Sequence, residues 1–179
     1  MNDGLIPNRY AKALYKQAIE AGDAAAVYGQ AKSLANAYAS EASLAKTVGN
    51  PFVGAADKCR VLLTAAGAQQ GGSLDKFIAL VIKNNREDYL RMIALSYAKI
   101  YRLANNISQV EIVTASKLPE DQLEAIMKVV KQQLSGKTLE ISKRVDSDLI
   151  GGFVVNVDSL VLDASVRNEL NKMRVKLLS

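Results

Sequence analysis

Few side chains in this 179-residue sequence could carry chemistry. It has no histidine, so the usual general base and the commonest metal ligand are both missing. Its single cysteine, Cys59, cannot form a zinc cluster, a disulfide framework or a Cys-x-x-Cys redox pair. Cys59 lies in a helical pattern between Lys58 and Arg60. It reads as a small packing residue, although the flanking cations could lower its pKa. Asp146, Asp148, Asp158 and Asp163 lie close together in sequence. Their spacing matches no calcium loop, and two of them suit turn or cap positions. Gly151-Gly152 sits inside an apolar, β-branched run. It lacks the Lys-Ser/Thr of a phosphate loop and the third glycine of a dinucleotide turn, so a bulge or a close backbone approach accounts for it. No nucleophile–base pair, metal site or cofactor loop emerges. The expectation is a non-catalytic protein with no metal and no cofactor.

The net charge of +5 is unevenly placed. Residues 1–105 hold 13 Lys and Arg against 8 Asp and Glu, whereas residues 106–179 hold 10 of each. A basic helical nucleic-acid-binding module is therefore the competing reading. Against it, the charges are scattered, with no Lys/Arg run and no RNA-binding aromatic signature. The N-terminus has the features of neither a signal nor a transit peptide, and no apolar run approaches the ~20 residues needed to span a bilayer. A soluble chain without membrane insertion is expected.

Composition changes near residue 105. Alanine falls from 22 residues before that point to 3 after it, while Val and Ile rise from 11 to 16. Alanine favours helices and β-branched residues favour strands, so a helical domain over 1–105 should precede an α/β domain over 106–179. In the first, Pro7 suits an opening turn and Gly22-Asp23 ends one helix, with Asp23 capping the next to about Ser40. A short helix over 41–48 breaks at Gly49-Asn50-Pro51. Helices follow over 55–68, over 74–84 with Ser73 as cap, and along the stripe Leu90, Ile93, Tyr97, Ile100, Tyr101 and Ala104. That makes about six helices with short connections, which suits a bundle with its tyrosines in the core or at its boundary. In the second domain, strands are expected over 109–115, 139–145 and 149–157. Asp158-Ser159 should turn the last of these into a hairpin with 160–162. Helices are expected from Pro119 to about Leu134 and from Val166 to Leu178, the latter capped by Asp163 or Ser165. The fold class is mainly α: a six-helix bundle followed by a small α/β domain with a β-hairpin and a terminal helix.

Two stretches carry a family resemblance: Arg9-Tyr10-Ala11-Lys12-Ala13-Leu14-Tyr15, and the run from Ile150 through Gly151-Gly152-Phe153 to Asp163-Ala164-Ser165-Val166-Arg167-Asn168-Glu169-Leu170. Together they resemble the delta subunit of bacterial F-type ATP synthase, the family of the oligomycin sensitivity-conferring protein. The resemblance spans the whole chain, and the second stretch is its specific part. The family usually has glycine where Val157 and Ala164 stand here, and often a basic residue near Asn156.

The resemblance implies a non-catalytic adaptor, a stator subunit joining the catalytic head to the peripheral stalk. It implies that the helical domain holds the N-terminal helix of an alpha subunit between the first and fifth helices. Carried onto this chain, those faces are Tyr10, Ala13, Leu14 and Gln17 with Phe77, Leu80, Val81 and Asn84. Both helices are apolar on more than one face, which leaves a face for a guest helix. The resemblance further implies that the C-terminal domain meets the end of the b-subunit stalk through Phe153, Val166, Leu170, Met173 and Leu177. Gly151, Gly152, Asp158, Asp163, Ser165 and Arg167 would form a structural signature at the hairpin-to-helix corner. One copy per complex is implied, monomeric when isolated, on the cytoplasmic face of the bacterial inner membrane.

Overall fold

The structure, a computed structural model, describes residues 4–69, 71–116, 127, 128, 130, 136–158 and 160–178. It is mainly helical, with a small four-stranded sheet toward the C-terminus. The chain divides into two compact units, Met1–Arg102 and Leu103–Ser179.

Among the described residues, the helices ahead of the first strand are α1 (Leu5–Ala21), α2 (Ala24–Ser40), α3 (Ala42–Val48), α4 (Ala55–Ala66), α5 (Ser73–Lys83) and α6 (Leu90–Ala104). Pro7 lies in the first turn of α1, where its missing N–H costs nothing. Gly22, at φ +74°, ends α1, and the N–H of Asp23 returns to the Ala18 carbonyl at 3.0 Å. Each helix buries one stripe at helical spacing. In α1 it is Ala11, Leu14 and Ala18, and in α5 it is Leu74, Phe77, Ile78, Val81 and Ile82. α4 packs on α2 and α5, and α1 packs on α2 and α5. The small residues of α1 allow that close approach.

The tyrosines belong to this packing. Tyr97 is fully buried and donates its hydroxyl to the Ala24 carbonyl at 3.1 Å. Tyr15 meets Tyr97 edge-on, and Tyr28 stacks on Tyr101 with centroids 4.5 Å apart. Burial pushes the Tyr97 hydroxyl pKa well up, with the Asp23 charge adding to it.

Two expected caps act differently. Asp23 makes no side-chain cap to α2; its backbone carbonyl accepts from Val27 instead. Ser73 is the first helical residue of α5, not its cap, and Asp75 reaches back to accept from the Gly71 N–H at 2.8 Å. Cys59 is half-buried, and its flanking cations are engaged elsewhere: Lys58 with Glu87 and Arg60 with Asp57. Burial, then the Asp75 charge, raises its thiol pKa, the opposite of activation.

The second unit contains β1 (Ile107–Thr114), β2 (Thr138–Val145), β3 (Gly152–Val157), β4 (Leu160–Ser165) and a terminal helix, α7 (Val166–Leu178). The sheet order is β2-β1-β3-β4. β1 and β2 are parallel, while β3 pairs antiparallel with both β1 and β4. A parallel pair needs a crossover. In that connection residues 127, 128 and 130 are helical, and Val130 is buried against Val110, Ile112 and Val155. The rest of the helix expected from Pro119 to Leu134 lies outside the described residues. The strand expected over 149–157 begins only at Gly152. Ser147–Leu149 is a turn of 3-10 helix, held by Asp146 accepting from the Asp148 N–H at 3.1 Å.

In the first unit Lys58 is 5% exposed and its Nζ lies 2.7 Å from Glu87 Oε1. Desolvation pushes the Glu87 pKa up, but the Lys58 hydrogen bond and charge, with Glu87's own backbone N–H, outweigh it and leave it lowered. A carboxylate with a lowered folded pKa adds stability above its unfolded pKa, and that stability is lost as pH falls through the folded value. Lys58→Met should therefore destabilise by about 1–3 kcal/mol at neutral pH in denaturant titration, because it leaves the part-buried Glu87 carboxylate without its partner. Glu87→Gln should flatten the acid side of the stability profile relative to wild type.

Candidate partner-binding surfaces

The α1 and α5 stripes that face away from the core form a groove. Ile6, Arg9, Tyr10, Ala13 and Gln17 line it from α1, and Phe77, Leu80, Asn84 and Arg86 from α5 and just beyond, around a cavity of about 610 Å³. Phe77 is buried at its floor, with the Tyr10 ring edge-on at 6.2 Å. Asn84 Nδ2 donates to the Tyr10 hydroxyl at 3.2 Å and ties the two walls. Leu80 is 49% exposed, a large apolar side chain presented to the opening. Six of the eight residues assigned to this face thus come together. The other two do not. Leu14 and Val81 are 1% and 0% exposed and point into the core, so neither can touch a guest helix. Ile6, Arg9 and Arg86 line the groove although the sequence reading did not single them out. The signal for the first two was available, since Ile6 lies four residues before Tyr10 and Arg9 four before Ala13.

In the second unit, Gly152 and Ser165 build the corner between the hairpin and α7. Gly152 has φ +75°, and a Cβ there would stand 2.2 Å from the Ala164 carbonyl oxygen. Glycine is required on both counts. Gly151 accepts from the Val166 N–H at 3.0 Å, and a Cβ on it would stand 3.0 Å from Val166 Cγ2. Ser165, which is buried, caps α7: its Oγ accepts from the Asn168 N–H at 3.2 Å. The Ser165 N–H in turn donates to Asp163 Oδ1 at 2.9 Å. Hydrogen bonding from Ser165, then the charges of Lys172 and Arg167, holds the Asp163 carboxyl below its ordinary pKa. Asp158, at φ +48°, accepts from the Gln109 N–H at 3.2 Å. These acids serve turns and caps. At Val157 and Ala164, where the resemblance implies glycine, neither residue has a positive φ, so a side chain is tolerated at both.

The apolar face of the sheet runs past its cover. Leu160 and Leu162 pair with Val157 and Val155, which pair with Val110 and Ile112. All six share one face. Val110, Ile112 and Val155 are buried, whereas Leu160 and Leu162 are 71% and 56% exposed. On α7, Val166, Leu170, Met173 and Leu177 recur at helical spacing and all are exposed. Phe153 differs from the other expected contacts: it is half-buried against the unit's own core. Leu160 and Leu162 were missed because a short apolar strand ordinarily implies burial.

The model of the family "ATP synthase delta (OSCP) subunit" matches residues 6–177. The chain belongs to that family. It is 32% identical over 177 residues to "ATP synthase subunit delta" of Phocaeicola vulgatus, covering 98% of this chain and 95% of that one. It is 33% identical over 178 residues to the subunit of the same description from Parabacteroides distasonis, covering 99% and 98%. Among solved structures, a chain of the Toxoplasma gondii mitochondrial ATP synthase hexamer superposes with a TM-score of 0.72 at 22% identity, over 97% of each chain, and so shares the fold. Membership in the delta (OSCP) family makes this chain a non-catalytic stator subunit, a peripheral part of an ATP synthase assembly. It also decides against the nucleic-acid-binding module. Among the described residues, no helix is long and apolar enough to cross a membrane.

Replacing Gly152 tests the corner. Gly152→Ala should lower the stability of the second unit by about 3 kcal/mol or more, read as a reduced thermal midpoint, since the methyl group meets backbone at a positive φ. Ser165→Ala should cost about 1 kcal/mol, the usual value of a lost N-cap.

Proposed function

We propose that this chain is the two-ended link of the stator. The six helices of the first unit act as one bundle, and the α1–α5 groove holds the N-terminal helix of an ATP synthase alpha subunit. The second unit docks the C-terminal end of the b-subunit stalk through α7 and the open face of β4. One copy serves each complex, monomeric when isolated, on the cytoplasmic face of the bacterial inner membrane. The observation that carries this reading is the groove: an apolar channel with a buried aromatic floor and an exposed leucine, on a chain of this family.

The physics of a stator suits such a surface. Torque on the head must be resisted without slipping, which demands slow dissociation. Slow dissociation comes from apolar anchors seated in pockets, with a polar rim that excludes water. The stripe of Val166, Leu170, Met173 and Leu177 offers a second set of anchors of the same kind.

A peptide of the alpha-subunit N-terminal segment from the same organism should bind the full chain with a Kd of about micromolar or tighter. Leu80→Asp should weaken that binding at least about tenfold while leaving the thermal midpoint unchanged, because the side chain is outside the core. Leu14→Asp should instead unfold the first unit. Undiminished binding by Leu80→Asp would rule out the groove as the site.

A further inference from the structure

The groove is not electrically uniform. Its charged lining residues are two arginines, Arg9 and Arg86, both exposed. Among the described residues no carboxylate forms an ion pair with either one, and α1 has no acid in its first turn. The two lie at the same end. Arg9 precedes Tyr10 by one residue, Arg86 follows Asn84 by two, and Tyr10 and Asn84 are hydrogen-bonded at 3.2 Å. Arg86 also rests near the Tyr89 ring, its Cζ 6.0 Å from the centroid, which restrains the guanidinium. The remaining lining is apolar or neutral.

We propose that this end of the groove is a carboxylate subsite. The occupant is an amphipathic helix whose apolar stripe covers Phe77 and Leu80 and which carries an Asp or Glu that pairs with Arg9 and Arg86. This deepens the groove reading above and rests on it. The pair supplies what apolar contact lacks. A smooth apolar stripe leaves a helix free to slide by one turn, about 5.4 Å, or to lie in reverse. A charge pair at one end penalises both alternatives, because either leaves the arginines facing an uncharged stretch of the guest. Guanidinium is the group suited to this, since it presents a planar fork of donors to a carboxylate. A link that must resist torque needs one seated position.

The test uses the full chain and the alpha-subunit N-terminal peptide, with each peptide carboxylate replaced in turn by its amide. Arg9→Gln combined with Arg86→Gln should weaken binding about tenfold at about 50 mM salt. The loss should shrink to about twofold in about 500 mM salt. One amide peptide should reproduce the loss on wild type and bind the arginine variant no more weakly than the parent peptide does. Equal binding by wild type and the arginine variant at low salt would overturn the subsite while leaving the groove intact. So would a full set of amide peptides that all bind like the parent. No binding of the parent peptide to wild type would instead remove the groove reading and this inference with it. The amide peptides leave the protein unaltered, so the outcome does not depend on how the variant folds.

Discussion

The packing of α1 against α5 governs what the first unit can do. Each helix must bury one stripe, and small residues on α1, Ala11 and Ala18 on either side of Leu14, let α5 come close. Once those stripes are used, the next stripe of each helix is left at the surface, and the two leftover stripes meet as a groove. Phe77 belongs to both, buried from the solvent side and touching Tyr10 at the floor. The same contact thus gives the unit both part of its core and the floor of its groove. A substitution on one side of it disturbs packing, and a substitution one residue away changes only the groove's lining. Leu80 and Val81 stand next to each other in sequence and on opposite sides of that divide.

That adjacency explains how much of the groove was legible beforehand. The sequence of α5 says that its apolar residues exceed one stripe. It does not say which stripe turns inward, because a rotation of about 100°, one residue, exchanges Leu80 with Val81. Leu14 and Val81 are accordingly buried in the core, while Tyr10, Ala13, Gln17, Phe77, Leu80 and Asn84 line the groove. Helix bounds were readable where Pro7, Gly22 and Gly49 punctuate a regular apolar period; α4 instead stops at Ala66, before Gly67 at φ +64°, two residues short of the expected end. Caps were less so. Asp23 stands at the N-cap of α2 but its side chain makes no cap bond, and Ser73 falls one residue inside α5, after Gly72 at the N-cap.

The second unit shows the limit from the other side. Leu149-Ile150-Gly151 has strand-like composition, yet Ile150 sits at φ +66° outside any strand. Local composition cannot report a turn imposed by the Asp146 carboxylate and by the Gly151–Val166 backbone bond. Gly152 is the reverse case. Its need for glycine was readable as a close approach, and the approach is to the backbone of Ala164 on the paired strand. That corner sets where α7 starts, and hence where the stripe from Val166 to Leu177 is presented. The face of β4 could only be seen as open once its strand partners and their buried neighbours were known.

A stator subunit without chemistry of its own should couple an ATP synthase by holding its head to its stalk. The direct measurement is made on membranes that lack this chain and are then reconstituted with wild type or with Leu80→Asp. It records the share of ATPase activity retained on the membrane and the rate of proton-driven ATP synthesis. Wild type should restore both. Leu80→Asp, although folded, should leave active ATPase in the supernatant and little synthesis on the membrane. Full synthesis with Leu80→Asp, or tight and coupled heads with no chain added, would contradict the account.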